Sequence, residues 1–320
     1  MPTDIWNRKP EQFDVVGTPV DSPREVFERV FAVLDGRWPG EIDRDLIERG
    51  FADVTAAFFG KYPGLLPCDM TYHDLRHTIE AALVMARLLD GYMRQREEGS
   101  DAAPALSADE AMLGVFLALF HDIGLLRRSD EAHLAGPQLI PIHEERGVEF
   151  SRNYLAGTRL AGLAGISEII LITKFGRPGQ PVFVPDPGLE RVLAEALGTA
   201  DLLSQMSDRC YLEKCRDFLF SEFVQAGMDR VRSDVGEVTV IYPDSTELLR
   251  RTPGFVRDFV ARRLEAELGS AHVWLAAHFD GANPYILAVE RNIEFLIKIL
   301  DTNDIEALRR RPPVLAPGRC

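Results

Sequence analysis

Apolar positions recur every three or four residues along most of the chain, the period of amphipathic helices rather than strands. Ser22-Pro23 opens the first such stretch, which carries Val26, Phe27, Val30, Phe31 and Val33 before Pro39-Gly40 breaks it. A second helix is predicted over about 43–59, and a third from Leu75 onward with Thr71 or Asp74 as its cap. Residues 112–120 are apolar on every side and follow a Ser107-x-x-Glu110 capping box, the mark of a core helix. Further helices are expected from His143 through Leu155, over 166–173, along the stripe Leu189, Val192, Leu193, Ala196, Leu197, Ala200 and Leu203, and over 211–228, 245–268 and 284–300. The last has Asn283 as N-cap and Pro284 at its first position. One β-like run, Val238 to Tyr242, stands alone and reads as an extended loop. The pattern predicts an all-α helical bundle over residues 21–305, with an N-terminal arm (1–20) and a frayed tail (306–320). Prolines and glycines crowd residues 174–188, which read as a loop long enough to act as a lid or a plain surface connector.

Composition narrows the setting. With 46% hydrophobic residues in 320, the chain can bury a substantial core. No apolar run approaches the roughly 18 residues that span a bilayer, so no membrane partner is expected. The N-terminus lacks the basic start and apolar stretch of a secretory signal. Four cysteines without CxxC spacing fit a reduced, cytoplasmic protein. A net charge of −14 argues against a nucleic-acid polymer and makes any local basic cluster more informative.

Chemistry-bearing residues fall within this helical frame. The buried stretch 112–120 ends in His121-Asp122, two potential ligands where an uncompensated charge is expensive. A divalent cation would compensate them; a helix terminus capped by His121, with Asp122 starting a turn, is the plainer alternative. His73 and His77 are four apart and would share one face of a helix. His143-Glu144 opens a later helix, and Asp201 lies at the margin of the stripe beginning at Leu189. Arg127, Arg128, Lys174 and Arg177 follow or flank these segments, either to bind a phosphoryl group or as solvated surface. His278-Phe279-Asp280 echoes the first doublet without its context and reads as structural.

In chain order, His73-x3-His77, His121-Asp122, His143-Glu144 and Ala200-Asp201-Leu202-Leu203-Ser204 resemble the HD-domain metal-dependent phosphohydrolase superfamily. Tyr72-His73-Asp74-Leu75-Arg76-His77-Thr78 and Thr199-Ala200-Asp201-Leu202-Leu203 are similar to segments of its class I cyclic-nucleotide phosphodiesterase branch. The resemblance covers roughly residues 70–225. It implies an HD-type helical bundle in which His77, His121, Asp122 and Asp201 ligate a divalent ion: Mn, Fe, Zn, Co, Ni or Mg. His73 would protonate a leaving oxygen, and His143 with Glu144 would serve a second ion or support the first. The implied substrate is a small anionic phosphoester, a nucleotide among the candidates. Leu125, Glu144 and Lys174 stand where that branch has further polar ligands, and its purine-binding glutamine has no counterpart at the expected place. These departures weigh against cyclic-nucleotide specificity more than against phosphoester hydrolysis. Two alternatives remain: a diiron oxygenase of the same fold, which needs more histidines, and a non-catalytic sensor or binding module.

Overall fold

A computed structural model of the chain describes residues 8–99, 104–175, 183–232 and 236–315. Among them are α1 (Pro23–Arg37), α2 (Arg44–Phe58), α3 (Leu75–Gly99), α4 (Ala108–Phe120), α5 (His143–Ala156) and α6 (Leu189–Met206). The later elements are α7 (Tyr211–Lys214), α8 (Phe220–Ala226), β1 (Arg230–Arg232), β2 (Val238–Val240), α9 (Ser245–Gly254), α10 (Val273–His278) and α11 (Pro284–Asp301). The class is all-α, as the periodicity predicts. No described helix is long and apolar enough to cross a membrane.

The caps explain where the main helices begin. Ser22 accepts the Glu25 amide at the start of α1, Ser107 and Glu110 form the reciprocal box of α4, and Asn283 accepts the Tyr285 and Ile286 amides at α11. Asp74, not Thr71, caps α3: its Oδ1 accepts the His77 amide at 3.0 Å.

Two helices form the centre. Every side chain of α4 from Ala111 to Phe120 is buried, and α3 is buried from Leu75 to Met93. α3 packs against α1, α4, α6 and α10. Such burial takes charged side chains out of water, so each needs a partner. Arg87, fully buried, donates to Asp14, Thr18 and Tyr285, which straps residues 14–18 of the N-terminal arm onto the core.

Four stretches differ from the periodicity reading. The run at 238–242 is not an isolated loop, because β2 pairs antiparallel with β1, with Val231 opposite Thr239. Its partner escapes notice because Arg230 and Arg232 leave one apolar residue in the strand. The expected helix over 166–173 is a tighter 3₁₀ segment, Ala161–Thr173. The helix beginning at Ser245 widens into π turns after Pro253, a residue that cannot donate to the helical ladder. A π segment, Cys215–Leu219, likewise interrupts the helix expected over 211–228. At the C-terminus the chain is held as far as Arg310, whose amide donates to Glu213, while Leu308 is buried. Within the expected 174–188 loop, residues 176–182 lie outside those described.

Candidate metal centre

Three helices deliver the central residues. His77 sits in the first turn of α3, and His121 continues the helical geometry of α4 for one more residue. Asp122 then starts a tight turn, Ile123–Leu125. A Cβ at Gly124 would overlap the His143 carbonyl oxygen, so only glycine lets this turn press against the start of α5. Asp201 projects from α6. The apolar count places it at the margin of a stripe, yet it is only 6% exposed because α3 covers that margin.

His77 Nε2 lies 3.2 Å from His121 Nε2, 3.4 Å from Asp122 Oδ2 and 3.2 Å from Asp201 Oδ1. His121 Nε2 lies 3.3 Å from Asp122 Oδ2 and 3.6 Å from Asp201 Oδ1. Nitrogen and oxygen donors about 2.0–2.2 Å from one ion stand roughly 2.8–3.6 Å apart at octahedral or tetrahedral angles. The observed separations fall in that range.

The outer atoms set the ring tautomers. His121 Nδ1 is 2.7 Å from the Ala118 carbonyl oxygen, so it carries the proton and leaves the Nε2 lone pair facing inward. The helix-capping contact and the ligand role are therefore compatible. His77 Nδ1 faces Ser204 Oγ at 3.4 Å, again turning Nε2 inward. Asp122 Oδ2 is buried without a hydrogen-bond partner. A buried carboxylate oxygen and two converging imidazole lone pairs are a donor set for a divalent cation. The buried His77, His121 and Asp122 group could hold a metal ion.

With protons alone, burial lowers the histidines and raises the acids, and their mutual contacts outweigh it. The facing carboxylates of Asp122 and Asp201 lift His77 to about 9. His121 is raised well above its usual range, chiefly by the Asp122 charge once burial is overcome. Asp122 and Asp201 are held low, mainly by His121 and then by the other rings.

The remaining sequence candidates distribute around this centre. His143 Nε2 lies 3.4 Å from Asp122 Oδ1, the carboxylate oxygen turned away from the His77–His121 pair. Its Nδ1 faces the Ile140 carbonyl oxygen at 2.6 Å. The Glu144 carboxylate sits on that Nδ1 side, 3.3 Å away, and so does not share the space between His143 Nε2 and Asp122. Glu144 Oε2 is buried without a hydrogen bond, with Lys174 Nζ 4.0 Å away. Lys174 pairs more closely with Glu145. Arg127 is held by Asp69 and the Leu134 carbonyl oxygen, and Arg128 by Glu149. Arg128 lines a cavity of about 250 Å³ between the Asp122 turn and α5. Arg177 lies outside the described residues; of the other three basic candidates, Lys174 has contacts leading back to the centre, through Glu144 to His143.

His73 is not on α3. It lies in the bend before Asp74, so the i, i+4 face expected for it and His77 does not form. Its ring nevertheless stands edge-on to His77, centroids 6.3 Å apart. Glu222, a residue the motif reading passes over, reaches this bend from α8. It is 2% exposed and accepts the Thr71 and Tyr72 amides at 2.7 and 2.6 Å, while its Oε2 lies 2.7 Å from His73 Nδ1. The available signal is an acid three and four residues beyond Leu219 and Phe218, hence on an apolar helix face.

Phe175, Phe255 and Phe259 form an aromatic cluster beside Arg263. Phe175 meets Phe255 and Phe259 at tilted angles and is 46% exposed, with the Arg263 guanidinium 5.2 Å from its ring. Arg263 also donates to the Ile172 carbonyl oxygen and lies close enough to Asp201 to feel its charge.

No family model, curated protein or solved structure matches this chain.

Proposed function

We propose that the chain is an HD-type, metal-dependent phosphohydrolase acting on a small anionic phosphomonoester or phosphodiester. The observation carrying this reading is the convergence of His77 Nε2, His121 Nε2, Asp122 Oδ2 and Asp201 Oδ1, with His73 at the edge of the same space. A bound divalent ion would supply an ionised water near neutral pH and polarise a phosphoryl oxygen. Imidazole and carboxylate donors suit Mn, Fe, Zn, Co or Ni, with Mg a weaker match.

His73 supplies the proton in this reading. Its Nδ1 is committed to Glu222, which orients Nε2 as the nitrogen free to donate to a leaving alkoxide. Lys174 offers a cation to a phosphoryl oxygen, and the Phe175, Phe255 and Phe259 cluster offers an apolar contact to the leaving group. A soluble, cytoplasmic enzyme is the setting consistent with composition. The oxygenase alternative draws less support, since a second ion would have Asp122 Oδ1 and His143 Nε2 as its protein donors among the described residues.

The test combines elemental analysis of the purified protein with a panel of phosphomonoesters and phosphodiesters. Stoichiometric metal together with turnover of at least one ester class is expected. Metal without turnover would favour the sensor or binding module, and absence of metal after reconstitution would overturn the reading.

A further inference from the structure

We propose that Ser204 and Gln205 are positioning residues for the metal ligands, so that one turn of α6 fixes both His77 and Asp201. The proposal rests on the metal-site reading above and concerns what prepares the ligands before an ion arrives. Residues three and four beyond Asp201 share its helix face, which brings both side chains back to it.

Ser204 is 4% exposed. Its Oγ is 3.0 Å from the Asp201 carbonyl oxygen and 3.4 Å from His77 Nδ1. A hydroxyl has one proton, and a carbonyl oxygen can only accept it. Ser204 therefore donates to Asp201 and accepts from His77 Nδ1–H. Nε2 is then the nitrogen that faces the centre, and once a cation displaces its proton it presents the lone pair that ligation requires. The hydroxyl thus joins ligand-bearing helices α3 and α6 outside the ion.

Gln205 acts on the other ligand. Its amide nitrogen is 2.5 Å from Asp201 Oδ1 and 3.2 Å from the Asp201 carbonyl oxygen. Both neighbours are acceptors, so the NH₂ end must face them whichever way the amide is first drawn. Asp201 Oδ1 is the oxygen nearest both imidazoles. Holding it fixes which oxygen ligates. Asp122 Oδ2 has no comparable support among the described residues. The α6 side is preset, and the α4 side is completed by the cation.

The experiment measures Co²⁺ affinity by competition with a chromophoric chelator, the d–d absorption of the Co²⁺ protein, and the melting temperature of the metal-free protein. Ser204→Ala and Gln205→Leu should each weaken Co²⁺ about 10–100-fold, the usual cost of losing an outer-sphere partner. Ser204→Ala should also alter the Co²⁺ spectrum, and Ser204→Thr, which keeps the hydroxyl, should restore affinity to within about threefold. Metal-free melting temperatures should stay near wild type. Gln205 is half-buried, so its variant tests the idea even if the buried Ser204 variants fold poorly. Wild-type affinity in both Ser204→Ala and Gln205→Leu would overturn the proposal and leave the metal site standing. Affinity losses that merely track lost stability would also overturn it. Wild-type protein that fails to bind Co²⁺ would remove the metal reading itself.

Discussion

Glu222 holds His73 by Nδ1 at 2.7 Å while taking the Thr71 and Tyr72 amides on its other oxygen. One buried carboxylate thus fixes both the bend before α3 and the ring it presents. If His73 delivers a proton, Glu222→Gln should retain metal and lose rate through the same step. His73→Ala should cost about 10²–10⁴-fold on an alkyl phosphoester. The loss should be far smaller on p-nitrophenyl phosphate, whose leaving group needs no proton. The double variant should be no worse than His73→Ala, since both remove one function. Equal losses on the two substrates with metal retained would show that His73 is not the acid.

The four residues proposed as ligands should behave as one unit. Asp201→Ala and His77→Ala should each release the metal, whereas circular dichroism should hardly change because helix content comes from the apolar stripes. Full metal occupancy in Asp201→Ala would remove that residue from the set. Stripping the wild type with a chelator should lower its melting temperature. An ion at 100 times its Kd contributes about 2.7 kcal/mol, which calorimetry resolves readily.

Much of this arrangement is legible in the chain, for identifiable reasons. α4 announces itself because ten consecutive buried positions leave no polar face, and the doublet after it marks where charge meets core. Asp201 is harder, since periodicity records only its own helix and not the α3 surface that buries it. His73 and His77 show how spacing misleads: four residues suggest one turn, but Asp74 caps the helix between them. Glu222 is hidden because its partners are backbone amides of a distant bend, which no residue pattern encodes. The β1–β2 pairing is likewise a tertiary fact carried by strands of three residues each.

Charge buried around Arg76, next to His77, gives the fold a pH profile. Asp208 is fully enclosed; burial raises it, but Lys214 and Arg76 outweigh that and hold it at about 2. An acid depressed on folding stabilises the protein above its unfolded value near 3.8, and that stability disappears as pH falls from about 4 toward 2. Glu80 has the opposite sign. Burial, only partly offset by Arg76 and reinforced by Asp208, lifts it to about 7. Its neutral form is favoured by folding, so stability declines as pH rises from about 4.5 to 7, by an amount on the order of 3 kcal/mol. Subtracting the Glu80→Gln melting profile from the wild-type profile should isolate this decline, and a flat difference across that window would refute it.

Lys174 gives a prediction about substrate charge. It pairs with Glu145 at 2.5 Å and stands 4.0 Å from the unsatisfied Glu144 oxygen, which is itself 3.3 Å from His143 Nδ1. Lys174→Glu should mainly raise KM for a phosphoester, whereas Arg128→Glu, whose partner is the exposed Glu149, should leave it near wild type. Unchanged KM in Lys174→Glu would return this lysine to the solvated surface.

The strap at Arg87 should control stability without touching the metal. Its guanidinium is fully buried and donates to Asp14 at 2.6 Å, to Thr18 at 2.7 Å and to the Tyr285 hydroxyl. Arg87→Ala strands the Asp14 carboxylate, and breaking a buried pair from one side typically costs about 3–5 kcal/mol. Asp14→Ala should cost a similar amount by stranding the guanidinium. An apolar pair, Arg87→Met with Asp14→Leu, should recover most of the loss, because neither charge then lacks a partner. Urea unfolding of the four proteins gives the coupling directly. Arg87 is ten residues beyond His77 on α3, about 15 Å along the axis, so Co²⁺ affinity should match wild type in every variant that folds. Trypsin should cut after Arg8 faster in Arg87→Ala, because the arm has lost its anchor. Additive single-variant costs with unchanged proteolysis would mean that Asp14 and Arg87 are neighbours without being a strap.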